Sequence, residues 1–470
     1  MPSGILAHVK MRHDLAAMAR SLYELPPKAG ATCFVDVHSV RPGEILQFQS
    51  GQRRSTQRRW RVPPRSTASD SSLIEEFRAL LDAAVDARLR SKTRLIATHL
   101  SSGYDSSAVT ATAARLAGAD AVLALTSAPS SGIALCSPRG RIADESELAA
   151  ATASFLGIAH SVVRHGQSIF SSFDQHWRYF QEPIVNPINE GWWLDTHKQA
   201  ADVGAGVLLT GETGNATISF GGLQTLPHWV RRLQFLTWFR EMRSAVARND
   251  VRWRGALMTS FRPFMPQLLS DALEHWFQAV PPRLEMLFVR PEWTTCDTES
   301  EWGLTADPCE DRVAHLNRLD AGLQRKGLLG RCRIDDRDPT GDRRLAEFAL
   351  SFRPEHLLSQ GVSKPLARRA LADRLPANIL DLPARGYQGA DWFGRFDARR
   401  AIEILESIEC STTASALLDT GRLRKALLAW PKFDPVRCVG LYWMGRSVSH
   451  ALSVGAFITE TERNPELIGC

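Results

Sequence analysis

Between residues 94 and 211 short apolar runs alternate with longer stretches of helical periodicity, and this alternation limits the chain to one class of architecture. RLIATHL (94–100), AVLALTS (121–127), HSVVRH (160–165) and GVLLTG (206–211) have the length and apolar content of buried strands. SSAVTATAARLAG (106–118), DESELAAATASFLG (144–157) and residues 172–203 read as the helices between them. The acidic residues at the head of the second helix lie where the helix dipole favours them. Strand–helix–strand connections of this kind are right-handed, so the four strands predict a parallel sheet with helices on both faces, an α/β fold. Such sheets bind ligands outside the carboxyl ends of their strands.

The flanks differ. ATCFVDVHSV and RPGEILQFQSG predict two short strands around a Pro-Gly turn, and RWRVPPRSTASDSS reads as a linker. A helix is expected from near Ser72 across LIEEFRALLDAAVDARLR. Residues 225–330 are helix-like and rich in Trp and Arg, and residues 342–382 and 396–456 predict further helices. The chain therefore divides into an N-terminal piece, 1–65, and one large unit over 70–465. No apolar run approaches the ~18 residues of a membrane span, and MPSGILAHVKMRHDL lacks the apolar stretch of a signal peptide. A cytoplasmic protein with no membrane partner is expected. Cys33, Cys136, Cys296, Cys309, Cys332, Cys410, Cys438 and Cys470 form no C-x-x-C pair, which predicts free thiols and no zinc site. The net charge of +6 comes from basic residues scattered along the chain. That pattern predicts a solvated surface and no nucleic-acid groove, while leaving anionic ligands compatible.

The segment RLIATHLSSGYDSSAVTATAARL (94–116) carries the chemistry. A strand runs through Ser101, Ser102, Gly103, Tyr104, Asp105, Ser106 and Ser107 into a helix. Gly103 permits close approach of a ligand, and hydroxyls with backbone N–H groups at a helix start suit a polyphosphate. Asp105 is placed to hold Mg2+ against those oxygens. The same residues would equally serve as an ordinary Ser/Asp cap. The spacing is not that of a Walker A loop.

S-S-G-Y-D-S-S resembles the S-G-G-x-D-S-S loop of ATP pyrophosphatases. Three further blocks follow in order: LLTGETGNATISFGG (208–222), DDRDPTGDRRLAEFALSFRPEHLL (335–358) and GVSKPLARRALADRLPANI (361–379). They resemble the G-E-G-S-D-E, E-V-R-x-P-F-L-D-x-R-L and K-x-x-L-R blocks of asparagine synthetases. The R-D-P-T-G-D-R-R-L and G-N-A-T-I-S variants and ARGYQGADW (384–392) are similar to lasso peptide cyclases. The resemblance implies an ATP-pyrophosphatase-type sheet with a helical C-terminal part. It also implies that residues 1–65 are the β remnant of a glutaminase-like domain, with Pro2 where that domain has its nucleophilic cysteine. No glutaminase activity is then expected.

By the same resemblance, Ser101, Gly103, Tyr104, Asp105, Ser106, Ser107, Gly211 and Glu212 would bind ATP. Asp105 would ligate Mg2+. Lys364 would stabilise the charged transition state, with Arg368 supporting its helix. Asp335 would orient the amine or take its proton, unless it is only an ion-pair partner of a nearby arginine. Asn215 falls where the family has its second metal-binding Asp, and Ala216 where a Glu follows, which weakens a hard-cation site. The implied activity is adenylation of an Asp or Glu side chain in a precursor peptide, followed by attack of the peptide's own amine to close a macrolactam. A leader peptidase and a leader-recognition protein are the implied partners. An ammonia-dependent asparagine synthetase, a β-lactam synthetase-type ligase and an inactive peptide-binding scaffold are the alternatives.

Overall fold

The computed structural model describes residues 11–25, 30–138, 140–266, 269–270, 272–273, 287–293, 305–382, 385–432, 434 and 438–465. Residues 1–10, Cys296 and Cys470 lie outside the described residues. The described strands are β1 (Glu44–Gln49), β2 (Gln52–Gln57), β3 (Ile96–His99), β4 (Val122–Ala128), β5 (Arg141–Ile142), β6 (Ala159–Arg164), β7 (Val207–Leu209), β8 (Asp335–Arg337), β9 (Leu358–Ser359), β10 (Val362–Ser363) and β11 (Arg385–Gly386).

Five of these form the central sheet, in the order β6-β4-β3-β7-β8 with every pairing parallel. Successive side chains point to opposite faces, and the sequence uses this directly. Ile96, Val122, Ala124, Val207 and Leu209 enter one core with Phe77, Leu81, Val109 and Leu345. Ala97, Leu125 and Leu208 enter the other with Val163, Ala200 and Ile334. Apolar side chains on both faces are what a sheet covered by helices requires. The helix Tyr104–Ala117 buries Ser106 through Ala114 without interruption. Its run of small residues lets it lie close against β3 and β4.

The fifth strand, β8, was not expected. Its three residues, Asp335, Asp336 and Arg337, carry no apolar signal, yet Asp335, Asp336 and Arg337 pair in register with Val207, Leu208 and Leu209. Asp336 is nevertheless buried, because His197 meets its Oδ2 at 2.8 Å. The N-terminal strands also differ from expectation. ATCFVDVHSV forms only isolated bridges, His13 with Phe34 and Ala31 with His38. The hairpin lies later, as β1 and β2, and turns at Ser50 and Gly51, whose positive φ angles of 49° and 76° suit a tight hairpin turn. Pro42-Gly43 leads into β1 instead of forming the turn.

A third core is helical. The helices Ala398–Glu409 and Cys438–Arg463 bury Leu405, Ile408, Leu452 and Phe457, with Met18 and Leu22 from the helix Leu15–Leu22 and Trp177 packed among them. Cys33, Cys309, Cys332 and Cys410 are free thiols, as expected. Cys136 corrects that expectation, because it is disulfide-bonded.

Candidate active site

The carboxyl ends of β3, β4 and β7 open into a cleft of about 1740 Å³. Ser101 to Ser106 form its floor, Gly211, Glu212 and Asn215 one side, and Lys364, Arg368 and Arg385 another.

The floor is a closed hydrogen-bond loop. Ser101 Oγ lies 2.7 Å from Ser106 Oγ and accepts from the Gly103 N–H at 3.1 Å. Gly103 precedes the helix Tyr104–Ala117 in extended conformation and supplies no side-chain cap. The helix start is therefore open toward the cleft, the arrangement that receives a phosphate. Ser102 turns aside, and its N–H donates to Glu145 Oε1 at 3.0 Å. Ser107 is fully buried and donates to the Ser101 carbonyl at 3.1 Å, so it holds the loop and does not line the cleft.

Asp105 is the half-buried acidic charge of the site. Ser219 Oγ donates to its Oδ2 at 2.8 Å, while its Oδ1 is buried without a hydrogen-bond partner. Burial pushes its pKa up to about 6 against the opposing pull of Lys364. Two glycines make room for it. A Cβ at Gly214 would fall 2.2 Å from Asp105 Cγ and Oδ1, and one at Gly211 2.8 Å from its backbone carbon. The block after β7 therefore needs glycine at both positions because it packs directly on this carboxylate.

Lys364 faces Asp105 across the cleft floor. It sits at the N-cap of the helix Pro365–Leu371 with φ +58°, a left-handed conformation that costs a non-glycine residue on the order of 1–3 kcal/mol. Its N–H donates to Leu357 O at 2.7 Å, and the β9–β10 hairpin fixes the approach. The ammonium lies 4.7 Å from the centroid of the Tyr104 ring. Tyr104 in turn donates its hydroxyl to Leu380 O. Burial lowers the Lys364 pKa to about 8 against the stabilising Asp105 charge. Arg368, one turn on, lines the cleft and pairs with Asp381.

Glu212 opens toward the cleft. Burial and then the Asp336 and Asp338 carboxylates push its pKa up to about 8, with Arg325 opposing at 3.7 Å. Asn215 is exposed at the cleft wall. Asp335 is the exception among the expected site residues. It does not line the cleft, and Arg337 holds its Oδ2 at 2.7 Å. Pairing in β8 puts it at the foot of the sheet, level with Val207, while the cleft lies beyond the other end of the strands.

Three residues that sequence reasoning missed complete the geometry. Asp338 accepts the Thr213 N–H at 2.7 Å and the Thr340 N–H at 2.8 Å, pinning the turn that carries Glu212 and Asn215. Glu145 anchors Ser102, and Gly386 of β11 packs so closely on it that a Cβ there would fall 2.0 Å from Glu145 Oε2. Ser219 orients Asp105. Asp338 had a visible signal, since it precedes Pro-Thr in a helical-turn pattern, whereas Glu145 and Ser219 had none.

The family model for asparagine synthase matches residues 76–437. The chain belongs to the asparagine synthase family. Its sheet and loop are accordingly the ATP-pyrophosphatase-type fold of that family, and its activity is ATP-dependent amide-bond ligation. No curated protein matches the chain. Among the described residues no helix is long and apolar enough to cross a membrane.

Proposed function

We propose that the chain is an AMP-forming ligase that closes a macrolactam ring in a peptide, the reaction of a lasso peptide cyclase. The observation that carries this is the placing of Lys364, held over the Tyr104 ring, and of Asp105, with its unpartnered Oδ1, at the mouth of a helix without a side-chain cap, inside a cleft larger than the ~300–1,000 Å³ of ordinary small-molecule sites. The space beyond the phosphate loop suits a peptide better than free aspartate, and this disfavours a small-molecule amide ligase.

ATP enters as substrate with its phosphates over Gly103 and the N–H groups of the helix start. A side-chain carboxylate of the peptide attacks the α-phosphorus, and the bond to pyrophosphate breaks. The amine then attacks the acyl carbon, the bond to AMP breaks, and the amine loses a proton. Lys364 is a cation held by Tyr104 and strained backbone, so it meets charge developing on the transferred groups without reorganising first. Arg385 and Arg368 add positive potential along the same wall.

The donor set also bears on Mg2+. Asp105 Oδ1, buried and unpartnered, fits a cation ligand, and Asn215, exposed on the same cleft, offers a side-chain carbonyl oxygen. Among the described residues no group of three or more His, Cys, Asp or Glu gathers to hold a metal alone. A cation here would be shared with phosphate oxygens, and when bound it neutralises charge on the leaving pyrophosphate. Asp105 would keep it in register with the loop.

A leader peptidase and a leader-recognition protein are the proposed partners. The test is mass spectrometry of the leader-trimmed precursor peptide incubated with the protein, ATP and Mg2+. Loss of one water from the peptide is expected, and an unchanged peptide argues against the reading.

A further inference from the structure

One wall of the cleft, beside the phosphate loop where Trp192 stacks on His99 at 5.5 Å, is lined by buried polar atoms without partners. Asn189 leaves Oδ1 buried without a hydrogen bond, as does Asn186, whose amide otherwise meets Tyr442; Trp192 leaves its Nε1–H unpaired, and both ring nitrogens of His165 are unpartnered. All four residues line the cleft. A buried polar atom without a partner is costly, so several on one wall point to a ligand that pairs with them.

These residues are neighbours. Asn186 caps the helix Pro187–Asp202, and Asn189 and Trp192 follow at successive three-residue steps along one side. A Cβ added at Gly191 would lie 3.8 Å from His165 Cδ2, which places His165 against this helix. His165 is 5% exposed, and its nearest carboxylate, Asp391 Oδ2, is 3.8 Å away, too long for a hydrogen bond. Asp391 is already paired with Arg395 at 3.0 Å. Burial, then the Arg395 charge, lower the pKa of His165 to about 4, so the ring is neutral and offers an acceptor nitrogen.

Glu182 supplies the charge. Glu182 lines the same cleft, four residues before Asn186, and burial followed by the Asp320 and Glu190 carboxylates raises its pKa to about 7. The neighbouring charges that bear on it most are negative. Glu190 is spoken for, since His176 Nδ1 meets its Oε1 at 2.9 Å.

The chain connects this wall to the adenylation site. Arg385 acts on both Asp105 and Lys364. Four residues later Gly389 packs on Asn189, where a Cβ would fall 2.9 Å from Oδ1, and Asp391 follows beside His165. One short segment therefore spans from the carboxylate-activating groups to the acceptor-lined wall.

We propose that Glu182, Asn186, Asn189, His165 and Trp192 form a binding site for the free amino terminus of a peptide, the nucleophile of the ligation. This deepens the ligase reading and rests on it for the role of the amine. The α-ammonium has three N–H donors, and Glu182, the Asn189 carbonyl oxygen and a His165 nitrogen accept them, with Asn186 bordering the site. The first peptide carbonyl takes the Trp192 Nε1–H. The positive end of the helix opposes a cation only weakly, and Glu182 offsets it. Ammonia would leave the Trp192 donor and most of the wall unpaired, so the site discriminates in favour of a peptide.

The test uses the full chain without ATP. Glycylglycinamide and its N-acetyl form are titrated and followed by ligand-observed NMR. The free amine is expected to bind at least ten-fold more tightly than the acetylated form. Glu182→Gln and Asn189→Leu should each bring the free amine's affinity down toward that of the acetylated form. Asn189→Leu guards against a Glu182 variant that fails to fold, and thermal denaturation of each variant checks folding directly. Equal affinity for the two peptides, or binding of neither, overturns the proposal. Because no nucleotide is present, failure of macrolactam formation would leave this difference standing, and its loss would leave adenylation standing.

Discussion

Replacing Gly214 with alanine tests the claim that the block after β7 exists to pack on Asp105. The added Cβ would fall 2.2 Å from Asp105 Cγ and Oδ1 and 2.5 Å from its Cβ. Nothing there can yield cheaply. Asp105 is half-buried and held by Ser219, while the turn carrying Gly214 is pinned by Asp338 through Thr213 and by Arg312, whose Nε donates to Ala216 O at 2.7 Å. Relief requires Asp105 or the turn to move by about 1 Å. Overpacking of this kind costs roughly 1–3 kcal/mol of stability, and a misplacement of ~1 Å at a reacting centre costs on the order of 100-fold in rate. Gly214 does not have a positive φ, so the effect is steric and not a loss of backbone freedom. AMP formation under saturating ATP, alongside thermal unfolding, separates the two costs. The expected outcome is a folded protein with turnover reduced about 100-fold. A Gly214→Ala enzyme with unchanged turnover would refute the packing argument.

Lys364→Ala should lower AMP formation by about 100- to 1,000-fold with little change in the unfolding midpoint, as measured by nucleotide chromatography and thermal denaturation. Tyr104→Leu removes the ring under the Lys364 ammonium, worth about 0.5–2 kcal/mol, so turnover should fall roughly 2- to 30-fold, whereas Tyr104→Phe should keep most of it. The pH profile follows from Lys364. Its folded pKa, about 8, lies below its unfolded value, so kcat/KM should fall as pH rises through about 8. Over the same interval, up to about 10.5, the unfolded chain binds more protons, so this group makes the protein more stable with rising pH. An alkaline limb at pH 10 would contradict the assignment. Trp392→Ala, at a fully buried ring in the helical core, should cost about 3–5 kcal/mol, measured by denaturant unfolding.

Much of this was legible in the sequence because the governing signals are local. Apolar runs of strand length marked β3, β4, β6 and β7, and a loop of small hydroxyl residues before a helix marked the phosphate site. Gly211 and Lys364 sit in blocks whose spacing survives translation into structure. What failed is equally physical. β8 is stabilised by pairing with β7 and by the His197–Asp336 contact, both long-range, so three charged residues gave no sign of a strand. Asp335 was matched by position in its block. Its direction is set by strand alternation and by Arg337, which no spacing rule reveals. Glu145 and Ser219 reach the site from distant segments, and only the fold brings them to Ser102 and Asp105. The N-terminal hairpin was misplaced because Pro42-Gly43 looked like the turn, whereas the tight turn uses Ser50 in a left-handed conformation.

The central claim is that this cleft activates a carboxylate by adenylation, and the identity of the nucleotide product tests it most directly. Chromatography of the reaction with ATP, Mg2+ and the leader-trimmed peptide should show AMP and pyrophosphate in equal amounts, matched to dehydrated peptide and absent from Asp105→Ala. Formation of ADP and phosphate in step with the peptide product would contradict the account.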